Sequence, residues 1–159
     1  MDKVLPTIVI VIVVAAVLSL MVLSWRWRGR SQSHLPPLAA VPADSGDVLG
    51  SFDGLYLATT PSGDRLNRIS VHGLGFRTRA PLTVTAGGFV ILDDKFIGRD
   101  AVDSVSRASW TIDRGVEPNG LSVISWTLGS TAVDSYFRLD DPEGFLTVAS
   151  SIIQQTGQK

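Results

Sequence analysis

Residue types able to do covalent or acid–base chemistry are few in this chain. The 159 residues include no cysteine and only two histidines, His34 and His72. The lack of cysteine excludes disulfides, thiolate metal sites and a cysteine nucleophile. His72 opens the sequence His-Gly-Leu-Gly, but a single Gly-x-Gly without a third glycine and a following helix does not predict nucleotide binding. Because Gly-x-Ser-x-Gly, Walker and His-Glu-x-x-His motifs are also missing, we expect neither an enzyme nor a cofactor.

A group of carboxylates has the residue types of a cation site. Asp93 and Asp94 are adjacent, and Asp100 and Asp103 follow within ten residues. Clustered carboxylates bind Ca²⁺ or Mg²⁺, or act as an acid–base pair. The spacing is not that of a calcium-binding loop, and Asp93 and Asp94 are predicted to lie at a hairpin tip. We therefore predict a solvated turn and no metal site.

Four arginines form the main candidate for a binding site. Arg77 and Arg79 alternate, so both side chains can project from one face of a strand and hold a phosphate in a forked contact. Against this, the chain from residue 44 onward carries ten basic and fourteen acidic residues, a formal charge of −4. Surface charge is the expected role, and contact with anionic lipid or phosphate is the alternative. The group consists of Arg65, Arg68, Arg77 and Arg79.

Aromatic side chains on predicted strands are candidates for the core. Burial of each is worth roughly 2–3 kcal/mol, so most of them should lie inside the domain. An exposed one would indicate a surface for a partner. The four residues are Trp110, Trp126, Tyr136 and Phe137.

The apolar residues are concentrated near the N-terminus. The chain is 45% hydrophobic with a formal net charge of −1, so no strong basic field exists to attract nucleic acid. Leu5–Leu23 contains no charged residue. Nineteen residues at a rise of about 1.5 Å give about 28 Å of helix, close to the thickness of a bilayer's hydrocarbon core. We predict a membrane anchor over residues 1–28, with a transmembrane helix at about 5–25.

The charges beside this stretch predict its orientation. Arg26, Arg28 and Arg30 follow it, whereas Lys3 is the only basic residue before it. The positive-inside rule then places the C-terminal part in the cytoplasm, below the plasma membrane. The same arginines can contact anionic lipid headgroups. The alternatives are a buried core helix and a cleaved signal peptide, although Trp-Arg-Trp-Arg makes a poor cleavage site.

Residues 29–50 differ in composition from both of their neighbours. They contain three prolines together with Ala, Ser and Gly, and no sustained apolar period. We predict a semi-rigid, largely extended linker. His34 lies within it, and we expect no catalytic or metal-binding role for that residue.

Residues 51–159 are dominated by strand patterns. Apolar and polar residues alternate with period two, and Gly-Gly and Gly-Ser pairs predict tight hairpin turns. The predicted strands are Gly54–Thr59, Pro81–Ala86, Phe89–Leu92, Ala101–Ile112, Leu121–Leu128 and Thr131–Leu139.

One helix, over residues 141–155, is predicted to close the chain. Asp141 is a suitable N-cap and Pro142 a suitable first helical residue. One apolar stripe then recurs with helical spacing. Its residues are Phe145, Val148, Ala149, Ile152 and Ile153.

Six to eight antiparallel strands followed by one amphipathic helix resemble the pleckstrin-homology (PH) superfold. That fold is a bent antiparallel barrel or sandwich, plugged at an open end by its C-terminal helix. Leu82–Thr85 followed by Gly88–Ile91 resembles the strand–turn–strand step of bacterial PH-like domains, and Ile97–Val105 resembles the segment that enters their next strand pair. Gly120–Leu128 and Thr131–Asp141 resemble their last hairpin and the start of the helix. With its anchor, the chain is similar to a family of small single-pass actinobacterial membrane proteins of unassigned function.

The resemblance implies a mainly β domain over residues 51–159 and offers no catalytic residues. PH domains that bind inositol phosphates use basic clusters near their first hairpin, so it also implies a possible anion contact for the four arginines. We expect a membrane-tethered binding or scaffold module for a protein partner at the cytoplasmic face. The partner would bind at an exposed strand edge or in the groove beside the C-terminal helix. The alternatives are an accessory subunit of a membrane transport complex and a weak binder of anionic lipid.

Overall fold

The structure is a computed structural model that describes residues 4–32, 34–108 and 120–154. The chain divides into two compact units, residues 1–34 and residues 35–159.

The first unit is helix α1, Val4–Ser31. Within it, Thr7–Ser24 is long and apolar enough to cross a membrane, and all of its side chains are exposed. A buried core helix would hide this stretch, so that alternative does not apply. The helix continues beyond the predicted end near residue 25 and includes Arg26, Arg28 and Arg30, whose predicted headgroup contacts lie outside the described side chains.

The second unit contains, in its described residues, two five-stranded antiparallel sheets. The strand order is β1-β7-β6-β5-β2 in the first sheet and β4-β3-β10-β9-β8 in the second. The strands are β1 Ala39–Ala40, β2 Val48–Phe52, β3 Gly54–Pro61, β4 Thr78–Arg79, β5 Leu82–Thr85, β6 Gly88–Ile91, β7 Lys95–Gly98, β8 Val102–Ala108, β9 Leu121–Leu128 and β10 Thr131–Leu139.

The chain passes between the sheets at three points: from β2 to β3, from β4 to β5 through Ala80 and Pro81, and from β7 to β8. Only Asp53 separates β2 from β3, and the Asp53 carbonyl accepts a hydrogen bond from the Asp140 amide, 2.9 Å away. A 3₁₀ turn, Arg99–Ala101, connects β7 to β8. A one-residue link, a two-residue link and a single 3₁₀ turn therefore connect the two layers.

The expected bent barrel is not closed. Among the described residues no strand pairing joins the two sheets. Helix α2, Pro142–Gln154, packs instead against the edge strands β2 and β8 and against β9. Phe145, Ala149 and Ile152 of α2 are buried in the core between the sheets. The Asp141 carboxylate accepts a hydrogen bond from the Gly144 amide at 2.9 Å, which is the N-cap predicted from the sequence.

The predicted linker over residues 29–50 differs from the structure in its second half. Leu35 is buried in the core, Ala39 and Ala40 pair with β7, and β2 pairs with β5. Two-residue and five-residue strands among prolines give no detectable period, because backbone pairing with distant strands defines them. The folded unit consequently begins at Leu35 and not at residue 51.

Other strand bounds also shift. The first hairpin turns at Ala86-Gly87, because Gly88 is already paired with Thr85. The turn at Gly129 is as predicted, and Gly129 has the left-handed φ of +65° that favours glycine. Strand β7 was not predicted, and the last four residues of the predicted strand Ala101–Ile112 lie outside the described structure. The described residues hold ten strands where six to eight were expected.

The core has two parts, one on each face of the second sheet. The larger lies between the sheets and includes Phe89, Ile124 and Phe145. The smaller lies on the outer face, where Leu57, Leu121, Val123 and Tyr136 are buried together. Because both faces of this sheet are buried, β3 and β9 do not alternate strictly between apolar and polar residues.

Candidate binding surfaces

The four arginines of the predicted anion site do not converge. Arg68 Nη2 donates to the carbonyl of Leu57 at 2.9 Å, so part of its hydrogen-bonding capacity holds the backbone of β3. Arg79 Nη2 lies 3.2 Å from a carboxylate oxygen of Asp140, and both side chains are largely exposed. An exposed pair of this kind contributes little to stability.

Arg65 and Arg77 have different surroundings again. Arg65 lies beside Tyr136, and its charge lowers the pKa of that phenol, but burial and the charge of Asp134 act in the opposite direction and the net pKa is raised. Arg77 is exposed and precedes β4, which is only two residues long. The strand face predicted for Arg77 and Arg79 is therefore not formed.

Arg79 has a closer basic neighbour across the sheet. Leu55 of β3 pairs with Arg79 on one side and with Arg138 on the other, so the two arginines flank Leu55. Together with Asp140 they line an open depression of about 320 Å³. The carboxylate of Asp140 partly neutralises the two arginines, and the depression is open to solvent.

The carboxylates of the candidate cation site are dispersed. Asp93 lies in the turn between β6 and β7, with a left-handed φ of +66°, and Asp94 forms an ion pair with Lys95 at 2.9 Å. Asp100 lies in the 3₁₀ turn and Asp103 on β8. In the described ranges no three His, Asp or Glu side chains come close enough to hold a metal ion.

His72 holds two parts of the backbone together. Its Nε2 lies 2.7 Å from the carbonyl oxygen of Leu35, and donation requires the Nε2-protonated form. Both His72 and Gly73 have left-handed φ values, +57° and +81°. The His-Gly-Leu-Gly sequence therefore forms a turn, and its histidine contacts Leu35, the residue at which the folded unit begins.

The predicted core aromatics are buried where the structure describes them. Trp126, Tyr136 and Phe137 have at most 3% of their surface exposed. Trp110 lies outside the described residues. The predicted set omitted two aromatics on strands that are also buried, Tyr56 and Phe89. Tyr56 packs edge-to-face on Phe137 with ring centroids 5.6 Å apart.

Tyr56 belongs to a buried chain of hydrogen bonds. Its hydroxyl lies 2.9 Å from Thr59 Oγ1 and donates to the carbonyl of Leu74 at 3.0 Å. Thr59 Oγ1 lies 2.7 Å from Ser135 Oγ, which accepts a hydrogen bond from the Trp126 indole at 2.9 Å. Burial raises the pKa of Tyr56 to about 12. The network has no access to solvent, and its polar groups satisfy one another.

Two surfaces in the described part of the folded unit each expose a pair of large apolar side chains. The first is edge strand β2 beside α2, where Val48 and Leu49 are exposed and Gly50 lies next to Val148 of the helix. The second is the connection between β3 and β4, residues 62–77, where Leu66 and Phe76 are exposed. Two isolated apolar residues in a polar loop carry no periodic signal, so sequence patterning could not identify the second surface.

Two antiparallel sheets packed with a C-terminal helix define a small, mainly β domain, and the same chain carries an apolar N-terminal helix. The family model for bacterial PH domain-like proteins matches residues 35–152, which is most of the chain. The chain therefore belongs to the bacterial PH domain-like family. The matched range begins at Leu35, where the second unit also begins. Comparison with curated proteins gave no match, and comparison with solved structures gave none.

Proposed function

We propose that this protein is a membrane-tethered binding module that holds a protein partner at the cytoplasmic face of the membrane. The observation that carries the proposal is that one chain joins a helix able to span a bilayer to a PH-like unit that begins four residues after the helix ends. PH-like domains act as binding or scaffold units, and a fold alone does not name the ligand.

Attachment to the membrane lowers the affinity that the domain needs for its partner. A partner that also resides at the membrane meets the domain at a high effective concentration, so a small and weak interface is sufficient. The three arginines after the apolar stretch support the cytoplasmic orientation, because basic residues are retained on that side.

The edge of β2 is the surface best suited to a protein partner. This strand pairs with β5 on one side, and α2 packs beside it near Gly50, so the part of β2 offered to an added strand is its start at Val48 and Leu49. Val48 and Leu49 are 66% and 44% exposed, and Val148 of α2 lies beside Gly50. An extended peptide laid here would gain main-chain hydrogen bonds and apolar contacts together.

We infer no catalytic role for the domain. The hydroxyl groups of Tyr56, Thr59 and Ser135 form a hydrogen-bonded group and face one another within the core. A nucleophile or acid–base group must reach its substrate, and these groups do not reach the surface.

Crosslinking and affinity capture from native membranes test the proposal. We expect the full chain to capture a specific protein, and the Val48→Glu variant to lose it, because the added charge would enter the apolar part of the interface. Ala132→Glu is the matched control, since it places the same charge at an exposed position of the other sheet. Equal capture by both variants would exclude the β2 edge.

Replacing α1 by an unrelated transmembrane helix separates this proposal from its main alternative. A binding module keeps its partner after the exchange, because the contacts belong to the PH-like unit. An accessory subunit of a transport complex that works through its membrane helix loses the partner. Loss of capture after the exchange, with normal membrane insertion, would contradict the proposal.

A further inference from the structure

The connection between β3 and β4 exposes apolar side chains in a way that the rest of the folded unit does not. Phe76 and Leu66 are 77% and 73% exposed, the highest values for large apolar residues among the described residues of the folded unit. Single exposed apolar residues are common on soluble domains, whereas exposed apolar residues grouped in one segment mark interaction surfaces. Both lie in one segment of sixteen residues, 62–77, which we name the 62–77 loop.

The exposure does not result from a loosely attached loop. Ile69 and Leu74 are fully buried, the Ile69 amide donates to the carbonyl of Thr59 at 2.9 Å, and the Tyr56 hydroxyl donates to the carbonyl of Leu74 at 3.0 Å. The loop is thus held at two points between its exposed residues, and Phe76 and Leu66 are presented by a fixed backbone.

The loop that carries the two exposed residues borders one edge of the second sheet. After the turn at residues 62–67 the chain returns beside β3, where Ile69 bonds to Thr59, and β4 then pairs Thr78 with Tyr56. Leu66 precedes this returning stretch and Phe76 lies near its other end. The loop therefore forms an apolar border to the sheet.

The charge of the loop is opposite to that of the domain around it. Residues 62–77 contain three arginines and one aspartate, whereas the chain from residue 44 onward has a formal charge of −4. Arg77 directly follows Phe76 and is exposed. Apolar residues next to arginine are suited to a surface that is apolar beneath and anionic on top, as a cytoplasmic leaflet is.

The loop is also held to Leu35, the first residue of the folded unit. His72, between Leu66 and Phe76, contacts the carbonyl of Leu35 at 2.7 Å. From Ser24, the last residue of the apolar stretch, α1 extends seven residues to Ser31, and four further steps reach Leu35. These lengths add up to at most about 25 Å, so in any arrangement Leu35 stays within that distance of the end of the apolar stretch.

We propose that the 62–77 loop docks on the anionic lipid surface next to the anchor, with Phe76 and Leu66 entering the interfacial region and Arg77 contacting headgroup phosphates. This docking fixes which side of the domain faces the membrane and leaves the β2 edge to a partner. The proposal rests on the tether of the proposed function. Because α1 already confines the domain, the loop contributes orientation and does not have to supply membrane affinity.

Fluorescence quenching in proteoliposomes tests the docking on the full chain, which contains no natural cysteine. Leu66→Cys and Phe76→Cys are labelled with an environment-sensitive fluorophore, and the vesicles contain phosphatidylglycerol and lipids carrying a nitroxide quencher. We expect at least about twofold stronger quenching at both sites than at Ser151→Cys, an exposed position on α2. With the label kept at Leu66→Cys, we expect Phe76→Ser or Arg77→Gln to reduce the quenching. The same reduction is expected in purely phosphatidylcholine vesicles.

Leu20→Cys, within the apolar stretch, makes failure of the docking distinguishable from failure of the tether. Strong quenching there together with background quenching at Leu66→Cys and Phe76→Cys overturns the docking and leaves the tether intact. Weak quenching at Leu20→Cys overturns the tether, and the proposed function with it. Equal quenching of the loop in neutral and anionic vesicles overturns the role of Arg77 and of lipid charge. Thermal melting of each variant confirms that the exposed substitutions leave the fold unchanged.

Discussion

Tyr56 shows how burial changes the chemistry of a single side chain. Its phenol has a pKa of about 12 because the ionised form would lose its hydration inside the core. The raised pKa means that the folded state favours the neutral phenol. The resulting contribution to the free energy of unfolding is complete below pH 10 and is lost as the pH rises from about 10 towards 12, where only the unfolded chain ionises readily. The loss amounts to about 2–3 kcal/mol.

The two tyrosines of the chain make this prediction measurable. Tyr56 and Tyr136 are the only ones, and the pKa of each is raised. Absorbance of the full chain near 295 nm should therefore show less phenolate at pH 10 than the half-ionisation of free tyrosines, and the appearance of the Tyr56 phenolate should coincide with loss of the folded signal in circular dichroism. Half-ionisation of the tyrosines in the folded protein at pH 10 would contradict the prediction.

Gly88 and Gly98 face each other in the β6–β7 ladder but tolerate substitution differently. Gly88 has a φ of +152°, and an added Cβ would lie 2.1 Å from the carbonyl oxygen of Ile97. Gly98 has ordinary extended angles, and its nearest contact is the Phe96 ring at 3.8 Å. We expect Gly88→Ala to cost several kcal/mol and Gly98→Ala less than about 1 kcal/mol. Thermal melting of the two variants checks this, and equal costs would show that the backbone relaxes at residue 88.

At the scale of elements, α2 replaces the strand pairing that would close a barrel. Ile152 is 2% exposed in the core between the sheets, and its neighbour Ser151 is exposed. We expect Ile152→Asp to cost several kcal/mol, because an unpaired charge would enter the core, and Ser151→Asp to cost less than about 1 kcal/mol. Chemical unfolding of both variants measures the difference. A melting temperature near wild type for Ile152→Asp would show that this face of α2 lies elsewhere.

The positions of β1 and β2 predict which truncated fragments of the chain fold. A fragment of residues 35–159 retains Leu35 and both strands, so we expect it to melt cooperatively without α1. A fragment of residues 51–159 loses most of β2, all of β1 and the carbonyl that contacts His72. We expect the shorter fragment to aggregate or remain unfolded, because β5 would become an open sheet edge. Cooperative melting of residues 51–159 would restore the linker interpretation of residues 29–50.

At the scale of the whole molecule, the orientation in the membrane follows from three arginines. We expect the PH-like unit to lie inside the cell. In intact cells, a membrane-impermeant thiol reagent should then label Asp2→Cys but not Ser151→Cys, and each is the control for the other in this cysteine-free chain. Labelling of Ser151→Cys from outside would place the unit, and any partner, on the opposite side.

The parts of this protein that the sequence predicts are those with local causes. The apolar stretch at Thr7–Ser24 needs only length and composition, α2 needs a cap at Asp141 and one apolar stripe, and the Gly129-Ser130 hairpin needs a left-handed turn. Each of these signals is complete within about twenty residues. Strand β9 likewise keeps its predicted bounds, because its apolar-rich sequence ends at the Gly129-Ser130 turn.

The candidate arginine site shows the limit of the same reasoning. Spacing placed Arg77 and Arg79 together, but pairing ends β4 at two residues, and Arg79 has Leu55 and Arg138 as its neighbours across the sheet. A spacing rule assumes a regular strand, and the length of a strand depends on its distant partners. The sequence therefore indicated arginines correctly as the residue type but paired Arg79 with Arg77, whereas the structure places Arg138 near it.

The sequence by itself determined an apolar N-terminal helix, a mainly β domain and a helix at its C-terminus, because composition and short-range periodicity specify these elements. Only the tertiary structure decided that the folded unit begins at Leu35, that two sheets remain unjoined with α2 packed at their edges, and that Phe76 and Leu66 stay outside the core. The physical reason is that burial and strand pairing are shared between residues far apart in the chain. A short segment such as Ala39–Ala40 becomes a strand only through its partner.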